Sequence, residues 1–120
     1  MLFLSKKIYV DDSPIHGRGV FANELILKDE VIEECHFVKL VETNFTKLDP
    51  QLREIVFFWP VPKEMCHLIV MGYGSIYNHS ELNNATWMND VEKKCLRFYA
   101  IRDIHPGEEI CTNYRKTNNF

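Results

Sequence analysis

Apolar and polar side chains alternate along the C-terminal part of the chain. The apolar positions are Leu96, Phe98, Ala100 and Ile104, and the polar positions between them are Arg97, Tyr99 and Asp103. A period of two is typical of a strand with one buried face, so a strand is predicted from 97 to 104. Pro106 and Gly107 suit the two central positions of a type II turn, because proline presets φ and glycine accepts a positive φ. A second strand is predicted from 108 to 114.

Three further strands are predicted in the first third of the chain, at 6–10, 19–27 and 31–41. Clusters of turn-forming and charged residues at 11–14 and 28–30 separate them. The third of these strands carries apolar residues on both faces. Part of it is therefore expected to lie at the centre of a sheet.

The segment from 43 to 71 has a different pattern. Asp49 and Pro50 are a favourable N-cap and first residue of a helix. Apolar residues follow at helical spacing and prolines end the run; these are Leu52, Ile55, Val56 and Trp59, then Pro60 and Pro62. A second short helical piece is predicted within 63–71. The chain is therefore expected to form one β-rich α+β domain over residues 1–120, with several small sheets and a short helical segment.

The composition excludes several classes of protein. The 120 residues are 46% hydrophobic and 26% charged with a formal net charge of −3, which is not the basic surplus of a nucleic-acid binder. A mildly acidic surface suits a basic peptide partner. No apolar run approaches the roughly 20 residues of a membrane span. The first residues do not resemble a signal peptide either, so an intracellular protein is expected.

The four cysteines, at 35, 66, 95 and 111, are far apart and form no Cys-x-x-Cys pair. They are interpreted as buried thiols of a reducing compartment rather than as disulfides. By ligand type alone a zinc site could be assembled from Cys35, His36, Cys66, His67, His79 and Cys111. Structural zinc ligands usually come in closely spaced pairs, so no metal site is predicted. A zinc-dependent structural domain is one alternative.

Three short motifs could carry chemistry, and each also has a plain structural explanation. The Gly-Arg-Gly motif at 17–19 could be a turn that needs glycine torsions. It also matches a loose dinucleotide-binding fingerprint, which is rejected because no βαβ pattern surrounds it. The Asn-His-Ser motif at 78–80 could be a polar turn, since such side chains bond the local backbone. Tyr114 could simply close a core.

Taken together, these motifs resemble those of the SET-domain protein lysine methyltransferases, in the family's order and spacing from residue 16 to residue 114. The matching phrases are His16-Gly17-Arg18-Gly19-Val20-Phe21-Ala22, Tyr77-Asn78-His79-Ser80, and Gly107-Glu108-Glu109-Ile110 followed by Tyr114. The chain also resembles the minimal stand-alone SET proteins of some large DNA viruses, which share its short length and the phrase Val-x-Glu-Glu-Cys at 31–35. The resemblance implies a SET fold with a variable insert at 43–71 and a C-terminal segment threaded beneath a loop.

The resemblance also implies a set of site residues. The cofactor would be S-adenosylmethionine, held by His16, Gly17, Arg18, Gly19, Asn78 and His79. The catalytic residue would be Tyr114, and the channel for the substrate lysine would be lined by Trp87, Thr112, Tyr73 and Phe58. Considered singly, aromatic residues such as Tyr73 and Phe58 more often belong to a core.

The chain departs from the family pattern at three places. Thr112 stands where the family often has Phe or Tyr, so the limit on methyl number is expected to come from elsewhere, with Trp87 the first candidate. Asn83 replaces a proline, which puts the rigidity of that loop in question. Many members carry zinc-binding cysteines after the catalytic tyrosine, and residues 115–120 contain none, so a zinc-binding segment is not expected.

The implied function is transfer of a methyl group to a lysine of a histone tail, with histone H3 the leading candidate. Nucleosomes would be the partner and the nucleus the location, of a host cell if the protein is viral. The cofactor side would be covered either by Phe120 folding back or by the second subunit of a homodimer. The adjacent Glu108 and Glu109 are not interpreted as an acid–base pair, because neighbours on a strand point to opposite faces. The alternative is a catalytically silent SET fold that binds a peptide or partner.

Overall fold

The computed structural model describes residues 2–114 of the 120-residue chain. Ten short strands account for most of its regular structure. They are β1 (Ile8–Asp12), β2 (Arg18–Ala22), β3 (Val31–Cys35), β4 (Phe37–Lys39), β5 (Phe57–Trp59), β6 (Cys66–Val70), β7 (Asn78–His79), β8 (Ala85–Asp90), β9 (Cys95–Ala100) and β10 (Glu109–Thr112). Between β4 and β5 lie a 3₁₀ turn, Phe45–Lys47, and a single α-helical turn, α1 (Pro50–Arg53). The predicted β-rich domain of small sheets is confirmed.

The strands form three small sheets, in the orders β1-β2-β10-β7, β3-β9-β8 and β4-β6-β5. All pairs are antiparallel except β7 with β10. Strand β9 follows the predicted alternation, since Leu96, Phe98 and Ala100 are fully buried and Arg97 and Tyr99 are not. The apolar faces of the sheets meet in one core, around Phe98, Tyr77 and Trp59.

The last strand is threaded between two others, as the resemblance implies. Strand β10 pairs with β2 on one side and with β7 on the other, so it does not pair with β9, the strand before it in sequence. The turn that joins them is the predicted one: Gly107 has φ +89° and the Glu108 N–H donates to the His105 carbonyl at 3.0 Å.

A buried asparagine, Asn84, locks β10 in place. Its amide nitrogen donates to the Glu109 carbonyl at 2.8 Å, and its amide oxygen accepts the Cys111 N–H at 2.9 Å. The neighbouring Asn83, which stands where the family has proline, donates to the Ala85 carbonyl at 2.9 Å. A side-chain hydrogen bond thus fixes the loop at that position.

The helix predicted through the middle segment is wrong beyond its first turn. The cap is correct, since the Asp49 carboxylate accepts the Gln51 N–H at 2.9 Å and Pro50 begins the helix, but α1 ends at Arg53. Residues 57–59 form β5 instead. Three consecutive aromatic residues favour a strand, and pairing with β6 overrides the apparent helical spacing. The second helical piece is also wrong, because Cys66–Val70 is β6, the central strand of its sheet.

Two predicted N-terminal strands differ in extent. The strand predicted at 19–27 ends at Ala22, and Ile26 instead makes an isolated bridge to Ile104. The strand predicted at 31–41 is divided at His36 into β3 and β4, which belong to different sheets. Both are edge strands rather than central ones. β3 is nevertheless buried along most of its length, because other parts of the core cover it, and this explains its apolar residues on both faces.

Within residues 2–114, no helix has the length and apolar character needed to cross a bilayer. The four cysteines are free thiols; Cys35, Cys95 and Cys111 are buried and Cys66 is half-buried. Burial raises the pKa of Cys111 to about 11, so this thiol stays protonated at neutral pH.

Candidate active site

Two adjoining cavities meet at Tyr114. The smaller cavity has a volume of about 270 Å³ and the larger about 670 Å³. Five residues line both, namely Arg53, Glu54, Ile55, Ser75 and Tyr114. A ligand in one cavity and a ligand in the other can therefore both approach the side chain of Tyr114.

The larger cavity brings together residues that are far apart in sequence. The segment before β2 contributes Ile15 and His16, the first residue of β2 is Arg18, and the strand β7 contributes Asn78 and His79. The Asn78 amide nitrogen donates to the carbonyls of His16 and Arg18, both at 3.0 Å. These bonds attach the glycine-containing loop to the Asn-His-Ser motif. Four of the six predicted cofactor-binding residues, His16, Arg18, Asn78 and His79, thus line one cavity, whereas Gly17 and Gly19 adjoin them in the chain without being part of its lining, and the role of all six as cofactor ligands stays a prediction.

The two glycines of the Gly-Arg-Gly motif, Gly17 before β2 and Gly19 within it, are needed for different reasons. Gly17 has φ +47°, in the left-handed region that glycine adopts without strain, and open space surrounds the place of a Cβ. Gly19 has an ordinary φ, but a Cβ there would lie 2.3 Å from Oε2 of Glu109 and 3.1 Å from the amide nitrogen of Asn78. The absence of a side chain at Gly19 therefore lets the side chains of Glu109 in β10 and Asn78 in β7 approach the start of β2.

Tyr114 is fixed by hydrogen bonds both at its backbone and at its side-chain hydroxyl. Its backbone N–H donates to Nδ1 of His79 at 3.0 Å, and its hydroxyl donates to the carbonyl of Tyr77. The His79 and Tyr114 rings pack 5.2 Å apart. Partial burial, followed by the nearby Cys111 thiol, raises the pKa of Tyr114, so its hydroxyl stays protonated at neutral pH.

A buried carboxylate supports the segment that positions Tyr114. Oε1 of Glu33 accepts the hydroxyl of Tyr77 at 2.6 Å, and both side chains are almost fully buried. The register of β3 against β9 shifts between Val31 and Glu33, just before the residue that makes this contact. Burial raises the pKa of Glu33 above 4.5, and hydrogen bonds from Tyr77, the Tyr73 backbone and Cys35 only partly offset this effect. The pKa of Tyr77 is also raised, first by burial and then by the Glu33 charge.

The smaller cavity has an aromatic wall. Phe57, Phe58 and Trp87 line it, and Phe57 meets Trp87 edge-on with ring centroids 5.0 Å apart. Two of the four predicted channel residues, Trp87 and Phe58, are therefore part of this wall. Their contact with a substrate lysine stays a prediction.

The other two predicted channel residues are placed differently. Within residues 2–114, neither Tyr73 nor Thr112 is part of the lining of these two cavities. Tyr73 packs against the core, with its backbone N–H 3.5 Å from Glu33. Thr112 is completely buried, and its hydroxyl has no partner among the described residues. Their channel role is untested, and their position gives it no added support.

Sequence reasoning missed four contributors to the site. Arg53, Glu54 and Ile55 line both cavities, but the predicted helix made them ordinary residues of its first turns. Glu109 is excluded from acid–base chemistry by the sequence and given no part in the site, whereas its Oε2 accepts the amide of Asn78 at 2.8 Å and its Oε1 accepts the Ser13 hydroxyl at 2.7 Å. The threaded topology brings these groups together, and no local sequence pattern reports that contact.

The described part of the chain contains no group of three His, Cys, Asp or Glu side chains that could hold a metal ion. In particular, Nδ1 of His79 accepts the Tyr114 N–H, so that imidazole nitrogen serves a structural purpose. Residues 115–120, including Phe120, lie outside the described residues.

Comparison with known proteins agrees with this arrangement. The family model of the SET domain matches residues 17–115. A Schizosaccharomyces pombe histone-lysine N-methyltransferase specific for lysine 37 of histone H3 is 28% identical over 107 residues, which are 88% of this chain and 71% of that protein.

Two solved structures have the same fold. The crystal structure of a candidate histone methyltransferase from Plasmodium falciparum has a TM-score of 0.75 and 30% identity, and the match covers 92% of this chain and 95% of that one. The methyltransferase domain of human PR domain-containing protein 2 has a TM-score of 0.70 at 18% identity, covering 98% of this chain and 82% of that domain, which supports the fold alone. The resemblance to viral proteins stays a prediction.

Proposed function

Because the chain belongs to the SET-domain family, we propose that it transfers a methyl group from S-adenosylmethionine to the ε-amine of a lysine in a protein substrate. One observation carries the proposal: Tyr114 lies in the shared wall of two adjoining cavities. The larger is lined by residues of the two early motifs, and the smaller by aromatic side chains. A donor and an acceptor of a methyl group could thus meet beside one phenol.

The residues around the larger cavity fit S-adenosylmethionine. Asn78 lines the larger cavity and its amide nitrogen is engaged by acceptors of the protein, so we assign its amide oxygen to accept a hydrogen bond from an ammonium group. Arg18 and Arg53 offer cationic groups for a carboxylate, and Ile15 and Ile76 offer apolar surface. When bound, the cofactor supplies an electron-poor methyl group attached to a sulfonium. The residues present thus match the charged and apolar parts of this molecule.

The smaller cavity favours a neutral lysine. A free lysine has a pKa of about 10.4, so at neutral pH its amine is protonated and cannot attack. Entry into a cavity walled by Phe57, Phe58 and Trp87 removes water from the amine, which lowers the pKa of the substrate lysine. Burial of the amine therefore lowers the cost of losing the proton to water, without a dedicated base on the protein.

Tyr114 contributes by orientation. Its hydroxyl proton is donated to the Tyr77 carbonyl, so the oxygen lone pairs stay available for weak C–H···O contacts with an electron-poor methyl group. Fixing nitrogen and methyl in line can contribute roughly 7–11 kcal/mol to lowering a barrier. The enzyme in this proposal acts by position and burial more than by acid–base chemistry.

The substrate proposed is a histone tail, with histone H3 first, because the fission yeast relative is named for a lysine of H3. Strand β5 has one edge paired with β6, and its other edge is not paired with a described strand. Phe57 and Phe58 of β5 line the smaller cavity, so a tail extended along this edge could insert a lysine there. Nucleosomes, a nuclear location and a homodimer belong to the same proposal.

The test is incubation of the purified protein with labelled S-adenosylmethionine and a panel of core histones, with mass spectrometry to locate the label. Cofactor binding is measured separately by calorimetry, on the wild-type protein and on Asn78→Ala. We expect label on a lysine of H3, and weaker binding to Asn78→Ala. Label on another protein would refute the H3 assignment, and binding without any transfer would favour a silent binding module. A protein that neither binds nor transfers would refute the proposed function.

A further inference from the structure

We propose that Glu109 is a positioning residue of the cofactor site, which fixes the side-chain amide of Asn78 so that its oxygen is presented to the larger cavity. The inference rests on the proposed function, because it concerns recognition of the amino-acid end of the same cofactor. In this inference Glu109 acts on cofactor recognition through Asn78. The adjacent Glu108 has no such action, and a contribution of Glu109 to the stability of β10 alone would not produce it.

The first step is the orientation of the Asn78 amide. Its nitrogen carries two N–H groups, which three acceptors share: the carbonyls of His16 and Arg18 at 3.0 Å and Oε2 of Glu109 at 2.8 Å. Exchanging nitrogen and oxygen by a flip would place the amide oxygen against three other oxygens and leave all of them without this donor. The amide therefore has one favourable orientation, and Glu109 provides the charged and shortest of the three contacts.

The second step is the place of the other end of the amide. Asn78 lines the larger cavity and is 7% exposed, and its nitrogen is engaged by three acceptors of the protein, so the oxygen is the amide atom that we assign to a ligand. An acceptor with so little access to water gains from a donor on the ligand. An ammonium group meets that need best, because a charge-assisted hydrogen bond is stronger than a neutral one.

The third step explains how a carboxylate reaches this position. Oε2 of Glu109 occupies space that a Cβ of residue 19 would take, so Gly19 is required for the contact. Oε1 accepts the Ser13 hydroxyl at 2.7 Å, and this bond fixes the direction of the carboxylate. The same Ser13 oxygen accepts the backbone N–H of Ile15 at 3.0 Å, within the loop that leads to the cavity. Ser13, Glu109 and Asn78 thus form one chain of bonds.

Glu108 is a matched control. It is the preceding residue and also a carboxylate, but its oxygens accept the His105 N–H at 2.9 Å and the Arg102 guanidinium at 3.3 Å, in the turn before β10. It lines neither cavity among the described residues. Replacing it by Gln removes one charge next to Glu109 while leaving the chain of bonds at Asn78 unchanged.

The experiment compares Glu109→Gln and Glu109→Ala with Glu108→Gln in two assays. The first is calorimetric binding of S-adenosylhomocysteine and of methylthioadenosine, which lacks the amino-acid end. We expect Glu109→Ala to weaken S-adenosylhomocysteine binding by about tenfold or more, the loss typical of a hydrogen bond involving a charged group. Glu109→Gln, which can still offer an amide oxygen to Asn78, should lose less. Methylthioadenosine binding should change by less than about twofold in all three variants.

The second assay needs no cofactor. Nuclear magnetic resonance follows hydrogen exchange of the Asn78 side-chain amide, which we expect to be slow in the wild type and in Glu108→Gln, and fast in Glu109→Ala. Unchanged exchange in Glu109→Ala would overturn the inference, and so would equal loss of both ligands. A wild-type protein that binds neither ligand would instead contradict the proposed function, and the exchange measurement would still decide whether Glu109 holds Asn78.

Discussion

The backbone N–H of Tyr114 donates a hydrogen bond of 3.0 Å to Nδ1 of His79, two residues from the carbonyl of Tyr77 that accepts the Tyr114 hydroxyl. Asn78, between them, holds the loop at His16 and Arg18. Three consecutive residues thus attach both the last segment and the glycine-containing loop to β7. This short segment connects the proposed cofactor cavity to the proposed lysine cavity.

Replacing His79 tests the hydrogen bond that positions Tyr114. We expect His79→Leu to reduce the rate of methyl transfer by about tenfold or more, because the Tyr114 N–H loses its acceptor and the phenol moves relative to both cavities. His79→Asn should restore most of the rate, since its Oδ1 lies near the position of Nδ1. Turnover under saturating cofactor and peptide measures both effects. Equal rates for the two variants would show that the acceptor is not what His79 provides.

Replacing Gly17 and replacing Gly19 by alanine should have different effects. Gly19→Ala places a Cβ 2.3 Å from Oε2 of Glu109, so we expect it to displace that carboxylate and weaken cofactor binding by about tenfold or more. Gly17→Ala meets no atom but takes an unfavourable φ, which should cost about 1–2 kcal/mol of stability with much less effect on affinity. Urea unfolding and calorimetry separate the two outcomes. A larger loss of cofactor affinity in Gly17→Ala than in Gly19→Ala would contradict the claim that a side chain at position 19 displaces the Glu109 carboxylate.

Adjacent glutamates in β3 should give opposite dependences of stability on pH. Glu33 has a raised pKa, so its contribution to folding is greatest below about pH 4.5 and is lost as the pH rises through its folded-state pKa. Burial opposes ionisation of Glu34, but hydrogen bonds from Lys93, the Phe3 backbone and Arg97 outweigh it and lower its pKa. The contribution of Glu34 is therefore present above about pH 4.5 and lost as the pH falls.

The test is urea unfolding of Glu33→Gln and Glu34→Gln from about pH 3 to pH 8. Relative to the wild type, Glu33→Gln should gain stability as the pH rises. Glu34→Gln should be the less stable protein near neutrality and should approach the wild type in acid. Parallel curves for the two variants would contradict the opposite pKa shifts.

The two hydrogen bonds from the side chain of Asn84 to β10 should make a large contribution to the stability of the protein. Asn84→Ala removes the partners of the buried Cys111 N–H and of the partly buried Glu109 carbonyl, so we expect the free energy of unfolding to fall by about 3 kcal/mol. The matched variant Asn83→Ala loses one hydrogen bond at a less buried position and should cost about 1 kcal/mol or less. Equal losses of stability in the two variants would contradict a special contribution of the Asn84 hydrogen bonds to β10.

The sequence predicted the parts of this fold that depend on local pattern. The alternation in β9, the turn at Gly107 and the cap at Asp49 each follow from a few neighbouring residues. The helix through the middle segment failed because the spacing of Leu52, Ile55 and Trp59 is helical, whereas pairing of residues 57–59 with the distant strand β6 decides the structure.

The site, like the fold, could be predicted only where it depends on neighbouring residues. The motif residues around Asn78 could be identified because each lies in a short recognisable phrase. The threaded β10 that joins them, and the contact of Glu109 with Ser13 across 96 residues, depend on long-range topology. No periodicity in the chain encodes such a contact, and the resemblance alone suggested the threading.

The most direct test of the central claim is a comparison of methyl transfer by the wild type and by Tyr114→Phe, with cofactor affinity measured on the same samples. Tyr114→Phe removes only the hydroxyl that bonds the Tyr77 carbonyl between the two cavities. We predict label on a lysine with the wild type, a rate lower by about a hundredfold or more with Tyr114→Phe, and cofactor affinity within about twofold. Transfer at an unchanged rate, with the cofactor bound equally well, would contradict the placement of the reaction at Tyr114.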